Sequence, residues 1–168
     1  MAKLTPEQIE EFKVEESEAS DSWDFRVLAF RVSEVKHPDY YVGNKNWAKR
    51  LLKKAEEIAI DFDDFSSLGR VISTGDILGD WVTSNIDLAN LEQNSSFYDG
   101  IVVSKKHKDW GRKLFKKAEE LASTSEELNI LATYVDGLYD EMSPELNEND
   151  ILKDKKWSQS LRTKADNR

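Results

Sequence analysis

The sequence predicts an all-α protein, a short α-solenoid of stacked helix-pair repeats in a single domain over residues 1–168. Three observations lead there. The phrase NWAKRLLKKAEE (46–57) returns almost unchanged as DWGRKLFKKAEE (109–120). Three prolines and seven glycines are too few for an architecture of many hairpins. A charged share of 34% beside an apolar share of 39% suits helices with wide solvated faces. Five tryptophans in so short a chain argue against disorder.

The first repeated element is a helix, A. With Trp47 set on Trp110, 63 residues on, Leu51 meets Leu114, Leu52 meets Phe115 and Ala55 meets Ala118. Ile58 and Ala59 then meet Leu121 and Ala122, and these steps mark one apolar helix face. The second element, B, follows without a gap. Phe65, Leu68, Gly69 and Ile72 fall on Leu128, Leu131, Ala132 and Val135, again at helical spacing. Between A and B lie IDFDD and STSEE, whose Asp and Ser suit helix N-caps and whose acids suit the positive helix end. The pair Gly69 and Ala132 keeps a small residue where a neighbouring helix could come close.

Weaker copies extend the frame. An offset of 40 lays residues 13–32 over 53–72, so that Phe25, Leu28, Ala29 and Val32 fall on Phe65, Leu68, Gly69 and Ile72. GDWVTSNIDLANLEQ places Trp81 and Ala89 at the Trp47-to-Ala55 spacing, with Tyr98, Ile101 and Val102 as a shortened B. Near the end, Trp157, Leu161 and Ala165 repeat the helix A frame. Trp-to-Trp steps of 34, 29 and 47 residues are those of two-helix repeats. Units are therefore expected at about 5–36, 42–75, 76–104 and 105–140, with a closing helix at 151–166. The breakers Pro38 and Gly43 mark one loop, and the acidic stretch 140–150 marks another.

With a Trp near the start of helix A and small residues in both helices, the pattern resembles a tetratricopeptide-type helical repeat. The frame here is Trp-x3-Leu-x3-Ala-Glu-Glu, against Trp-x2-Leu-Gly-x2-Tyr in that family's signature, and helix A is longer. What the resemblance implies is an interaction scaffold, because stacked helix pairs expose an extended surface and rarely enclose a reaction centre.

Composition narrows the function further. Cysteine is absent, which excludes disulfides, thiolate metal sites and thiol catalysis. The start, MAKLTPEQIEEFK, has no apolar run for a signal peptide or membrane span, so a cytoplasmic setting without membrane attachment is expected. A formal charge of −9 disfavours nucleic acid and anionic membranes. His37 and His107 are the only histidines, and neither stands in a nucleophile or metal spacing. The acids in 61–65 and 147–154 lack the alternating ligands and central glycine of a calcium loop. No catalytic residue, cofactor or metal ligand is assigned, and an enzyme is not expected.

Two features could carry chemistry. Trp47, Trp81, Trp110 and Trp157 share one repeat position, so each is expected to pack between helix pairs, stabilising the stack by roughly 3 kcal/mol per ring. An aromatic row for ligand stacking is the alternative, and Trp23 lies outside the frame. Lys49, Arg50, Lys53 and Lys54 recur in register as Arg112, Lys113, Lys116 and Lys117, with Lys105, Lys106 and Lys108 upstream and Arg162 and Lys164 later. The plain account is a solvated helix face, partly neutralised by the glutamates of KKAEE. The functional account is a basic ridge that binds a protein partner through an acidic segment. The expected function is thus a non-enzymatic protein–protein interaction module, an adaptor or inhibitor. Alternatives are a structural fragment or small member of a larger repeat array, and a nucleic-acid-binding repeat protein.

Overall fold

The computed structural model describes residues 3–36, 41–81, 101–139 and 146–168. They form seven helices: α1 (Pro6–Glu18), α2 (Ser22–Ser33), α3 (Lys45–Ile58), α4 (Phe62–Thr74), α5 (Lys105–Leu121), α6 (Ser125–Asp136) and α7 (Glu148–Asp166). One 3-10 turn, Gly137–Tyr139, follows α6. Two antiparallel bridges of two residues each complete the described elements: β1 (Val35–Lys36) on β2 (Tyr41–Val42), and β3 (Asp80–Trp81) on β4 (Ile101–Val102). Helices α3 and α4 end or begin 63 residues before the matching ends of α5 and α6, as do Ile58 with Leu121 and Phe62 with Ser125. The same holds for α1 and α2 at an offset of 40, as in Glu18 with Ile58.

Three tight corners are built alike. At α1–α2, α3–α4 and α5–α6 the N-cap residue is Asp21, Asp61 or Thr124, whose side chain accepts from the amide three residues on. The carboxylate at that third position, Asp24, Asp64 or Glu127, accepts in turn from the amide of Ser20, Ile60 or Ser123. Each corner thus satisfies donors that a helix start leaves open, with acids at the positive end of its dipole. Elsewhere Thr5 and Gln8 form a capping box on α1, Asn44 caps α3, Ser104 caps α5 and Asn147 caps α7. Gly75 ends α4 in the left-handed region, at φ 79°.

Helices joined by a corner touch over a small area. The broad packing lies across the longer connections, of α2 on α3, α4 on α5 and α6 on α7. Small residues occupy equivalent buried positions on these pairs: Ala29 and Ala48, Gly69 and Gly111, and Ala132 and Ser158. The middle pair leaves no room for side chains at this position, since a Cβ on Gly69 would lie 2.6 Å from the Phe115 ring and one on Gly111 1.9 Å from Ser73 Oγ. One continuous core runs from Phe12 to Ala165 and includes Leu51, Leu52, Leu68, Leu114, Phe115, Leu131 and Leu161.

The Trp81 copy departs from expectation. Asp80–Trp81 and Ile101–Val102 pair as a bridge and are not parts of helices A and B. Only a Trp and an Ala carried that copy, without the basic and apolar run of the others, and Gly75 and Gly79 precede it. Ala89, Tyr98, His37, Pro38 and Tyr40, and most of the 140–150 loop, lie outside the described residues. The closing helix starts at Glu148, three residues earlier than its apolar frame suggested.

Candidate functional site

Successive A helices leave grooves between them, and the eight predicted basic residues divide among these grooves and their rims. Lys49, Lys53 and Lys113 line a groove of about 620 Å³ between α3 and α5, with Lys106, His107, Trp110, Glu56, Glu57 and Asp109. Arg112 and Lys116 line a second groove, of about 940 Å³, between α5 and α7, with Lys153, Lys156, Lys164 and five carboxylates. Arg50 is exposed and lines neither groove. Lys54 pairs with Glu16 of α1 at 3.0 Å and lies over the Phe25 ring, and Lys117 pairs with Glu120 at 3.4 Å. The sequence-level ridge is therefore two grooves separated by α5.

Trp110, Trp157 and Trp47 form the seams. Trp110 donates its indole N–H to Glu56 Oε1 at 2.8 Å, and Trp157 donates to Glu119 Oε1 at the same distance. Glu56 and Glu119 are equivalent first glutamates of the two KKAEE phrases, so each phrase provides an acceptor for the Trp of the next A helix. Trp47 is buried and meets Phe12 of α1 edge-on, with ring centroids 6.1 Å apart. Sequence reasoning read these glutamates as neutralising the lysines, because an indole partner on another helix leaves no local spacing.

Some basic residues upstream and downstream are otherwise engaged. Lys108 is buried, with Nζ donating to Gly137 O at 3.4 Å, so it is no part of a surface ridge. Its equivalent, Lys45, donates in the same way to Gly79 O. Gly137 is the C-cap of α6, where the dipole favours positive charge, whereas Gly79 lies five residues past the end of α4. Arg162 pairs with Asp136 at 2.7 Å, and Lys164 pairs with Glu119.

The grooves differ in how their charges are matched. In the α5–α7 groove Asp154, buried on α7, accepts from Arg112 Nε at 3.0 Å and Nη2 at 2.7 Å, while Asp109 accepts from Nη1 at 2.6 Å. Burial opposes the guanidinium charge, but these two carboxylates outweigh it and hold the Arg112 pKa above its usual value. In the α3–α5 groove the equivalent of Arg112 is Lys49, and the equivalent of Asp154 is His107, whose ring tilts against Trp110 at 6.4 Å. Partial burial, then the charges of Lys106 and Lys53, push the Lys49 pKa down. Among the described residues, no ion pair to a carboxylate involves Lys49, Lys53, Lys106 or Lys113.

Among the described residues, no group of three or more His, Asp or Glu side chains is placed to hold a metal ion. No helix among them is long and apolar enough to cross a membrane. No protein-family model, curated protein or solved structure matches the chain.

Proposed function

We propose that the chain is a non-enzymatic protein–protein interaction module, an adaptor or inhibitor that holds an acidic segment of a partner in the α3–α5 groove. In this reading α1–α2, α3–α4 and α5–α6 are successive units of a short tetratricopeptide-like solenoid, and α7 closes it. One observation carries the reading. At equivalent positions, Arg112 is matched by Asp154 and Asp109, whereas Lys49 faces Lys53 and Lys106 across from His107. Bringing a carboxylate to Lys49 would relieve that crowding, as Asp154 does for Arg112. Trp110 supplies an aromatic wall for the apolar part of the same segment.

Titration with an oligoglutamate peptide tests the reading. Binding at low salt that weakens with added salt is expected. The triple variant Lys49→Glu, Lys53→Glu, Lys113→Glu should lose it while keeping its melting temperature, since these side chains line an open groove. Binding that the triple variant retains in full, or no binding by the parent chain, would sink the proposal.

A further inference from the structure

The first helix pair carries a second surface of opposite chemistry. Trp23, Val27 and Phe30 stand on α2 at i, i+4 and i+7 and are 60%, 37% and 51% exposed. Their equivalents at offsets of 40 and 63 are Asp63, Ser67 and Arg70 on α4, and Glu126, Ile130 and Thr133 on α6. The same helix face is thus mainly polar where it recurs, so its apolar character is specific to α2 and is no requirement of the frame. Its three large side chains are more than scattered surface apolar residues usually amount to.

The border of the stripe says what fits it. A shallow cleft of about 240 Å³ beside Trp23 and Val27 is lined by Glu15, Glu18, Asp24 and Arg31. Arg31 is already bridged by both oxygens of Glu15, at 2.5 Å, and lies over the Phe12 ring. Arg26 covers part of the Trp23 ring, 4.7 Å from its centroid. Helix α1, which flanks the stripe, carries six glutamates against one lysine. An anionic membrane or a nucleic acid would be repelled by this rim. A second copy placed antiparallel on the stripe would set two acidic α1 helices side by side.

We infer that the Trp23–Val27–Phe30 face of α2 docks a basic amphipathic helix, with its apolar residues on the stripe and its Lys or Arg side chains at Glu18 and Asp24. This surface lies on α1 and α2, away from the lysine groove, and stands independently of the function proposed for that groove.

The probe is an 18-residue Leu/Lys amphipathic helical peptide, compared with its Leu/Glu counterpart and a Lys/Ser peptide of equal charge. Only the Leu/Lys peptide should bind. Val27→Glu and Phe30→Glu should each weaken it roughly tenfold or more. Both variants make the face more acidic, so a ligand held by charge alone would bind them more tightly. Circular dichroism should give melting temperatures close to the parent's, because Phe30 is half exposed and Val27 lines an open cleft. Unchanged or tighter binding by the variants would overturn the inference. So would equal binding of the Lys/Ser peptide, or a dimer in analytical ultracentrifugation that Val27→Glu dissociates.

Discussion

The α3–α5 and α5–α7 grooves are two versions of one construction, and they differ in who supplies the counter-charge. Each has an A helix on either side, a Trp donating across the seam to the first glutamate of KKAEE, and basic residues one turn before that glutamate. In the second groove α7 brings Asp154 to Arg112, so the molecule satisfies its own cation. In the first the corresponding residue is His107, and the lysines are left facing each other. Two grooves of similar build differ at one position, and that difference turns a closed electrostatic contact into an open one.

The largest effect should come from breaking the closed groove. Asp154→Ala leaves the Arg112 guanidinium, itself only 15% exposed, without its main partner. Urea denaturation should show a loss of about 3 kcal/mol. Most of it should return in the double variant Arg112→Met, Asp154→Leu, which removes both charges. His107→Ala at the equivalent place should cost far less. A loss of equal size there would mean that the two grooves are not balanced differently.

Next come the seams. Trp110→Phe and Trp157→Phe each replace the indole with a smaller phenyl ring and remove one hydrogen bond, at a cost of about 1–2 kcal/mol in thermal or urea unfolding. Because Glu119 keeps Lys164 as a partner, Trp157→Phe should cost less than Trp110→Phe. The converse order would place the Glu119 contact, and not the Trp, at the second seam.

A smaller change of opposite sign is expected from His107→Asp. It supplies the first groove with a carboxylate in the manner of Asp154. The melting temperature should rise by a few tenths of a kcal/mol in equivalent stability, in line with a partly exposed pair. Oligoglutamate binding should fall. If the peptide binds this variant as well as the parent, the Asp154 analogy is wrong.

The smallest effect is a proton. The Lys49 pKa is lower folded than unfolded, so folding disfavours its charge. That penalty is present in full below the folded pKa and is relieved as pH rises through it toward the unfolded value. A bound carboxylate raises the pKa again, so peptide binding at alkaline pH should take up protons and weaken as pH climbs. Calorimetry in two buffers of different ionisation enthalpy measures the uptake, which Lys49→Met should remove.

Much of the scaffold was legible because it is local. The helix A and B faces repeat at spacings that apolar periodicity detects, and the corner caps are complete within four residues, as in Asp61 with Asp64. The site was legible only in part. The basic residues were visible, but their partners come from another helix: Asp154 is 42 residues from Arg112, and Glu56 is 54 from Trp110. Nothing in a local window separates Lys49, which has no carboxylate partner in the groove, from Arg112, which has two. Lys108 was misread as surface for the same reason, since its acceptor lies beyond the end of α6. The Trp81 copy failed for a different reason. A Trp and an Ala at the right spacing are a thin signal: Trp81 pairs in a bridge with Ile101, and Ala89 lies outside the described residues.

The glycine crossing of α4 and α5 has a kinetic consequence. Among the described residues, most helix–helix contacts join helices that follow one another in the described order, a topology that favours fast folding. The connection from 75 to 104 spans more residues than those at 34–44 and 137–147, so the contacts it joins are less local. The pair it joins also meets at two glycines, Gly69 and Gly111, where neither helix has room for a Cβ. Docking α4 on α5 should therefore be the slow step of assembly. Gly111→Ala, which sets a methyl against Ser73, should slow refolding more than an equally destabilising change in the α2–α3 or α6–α7 contacts.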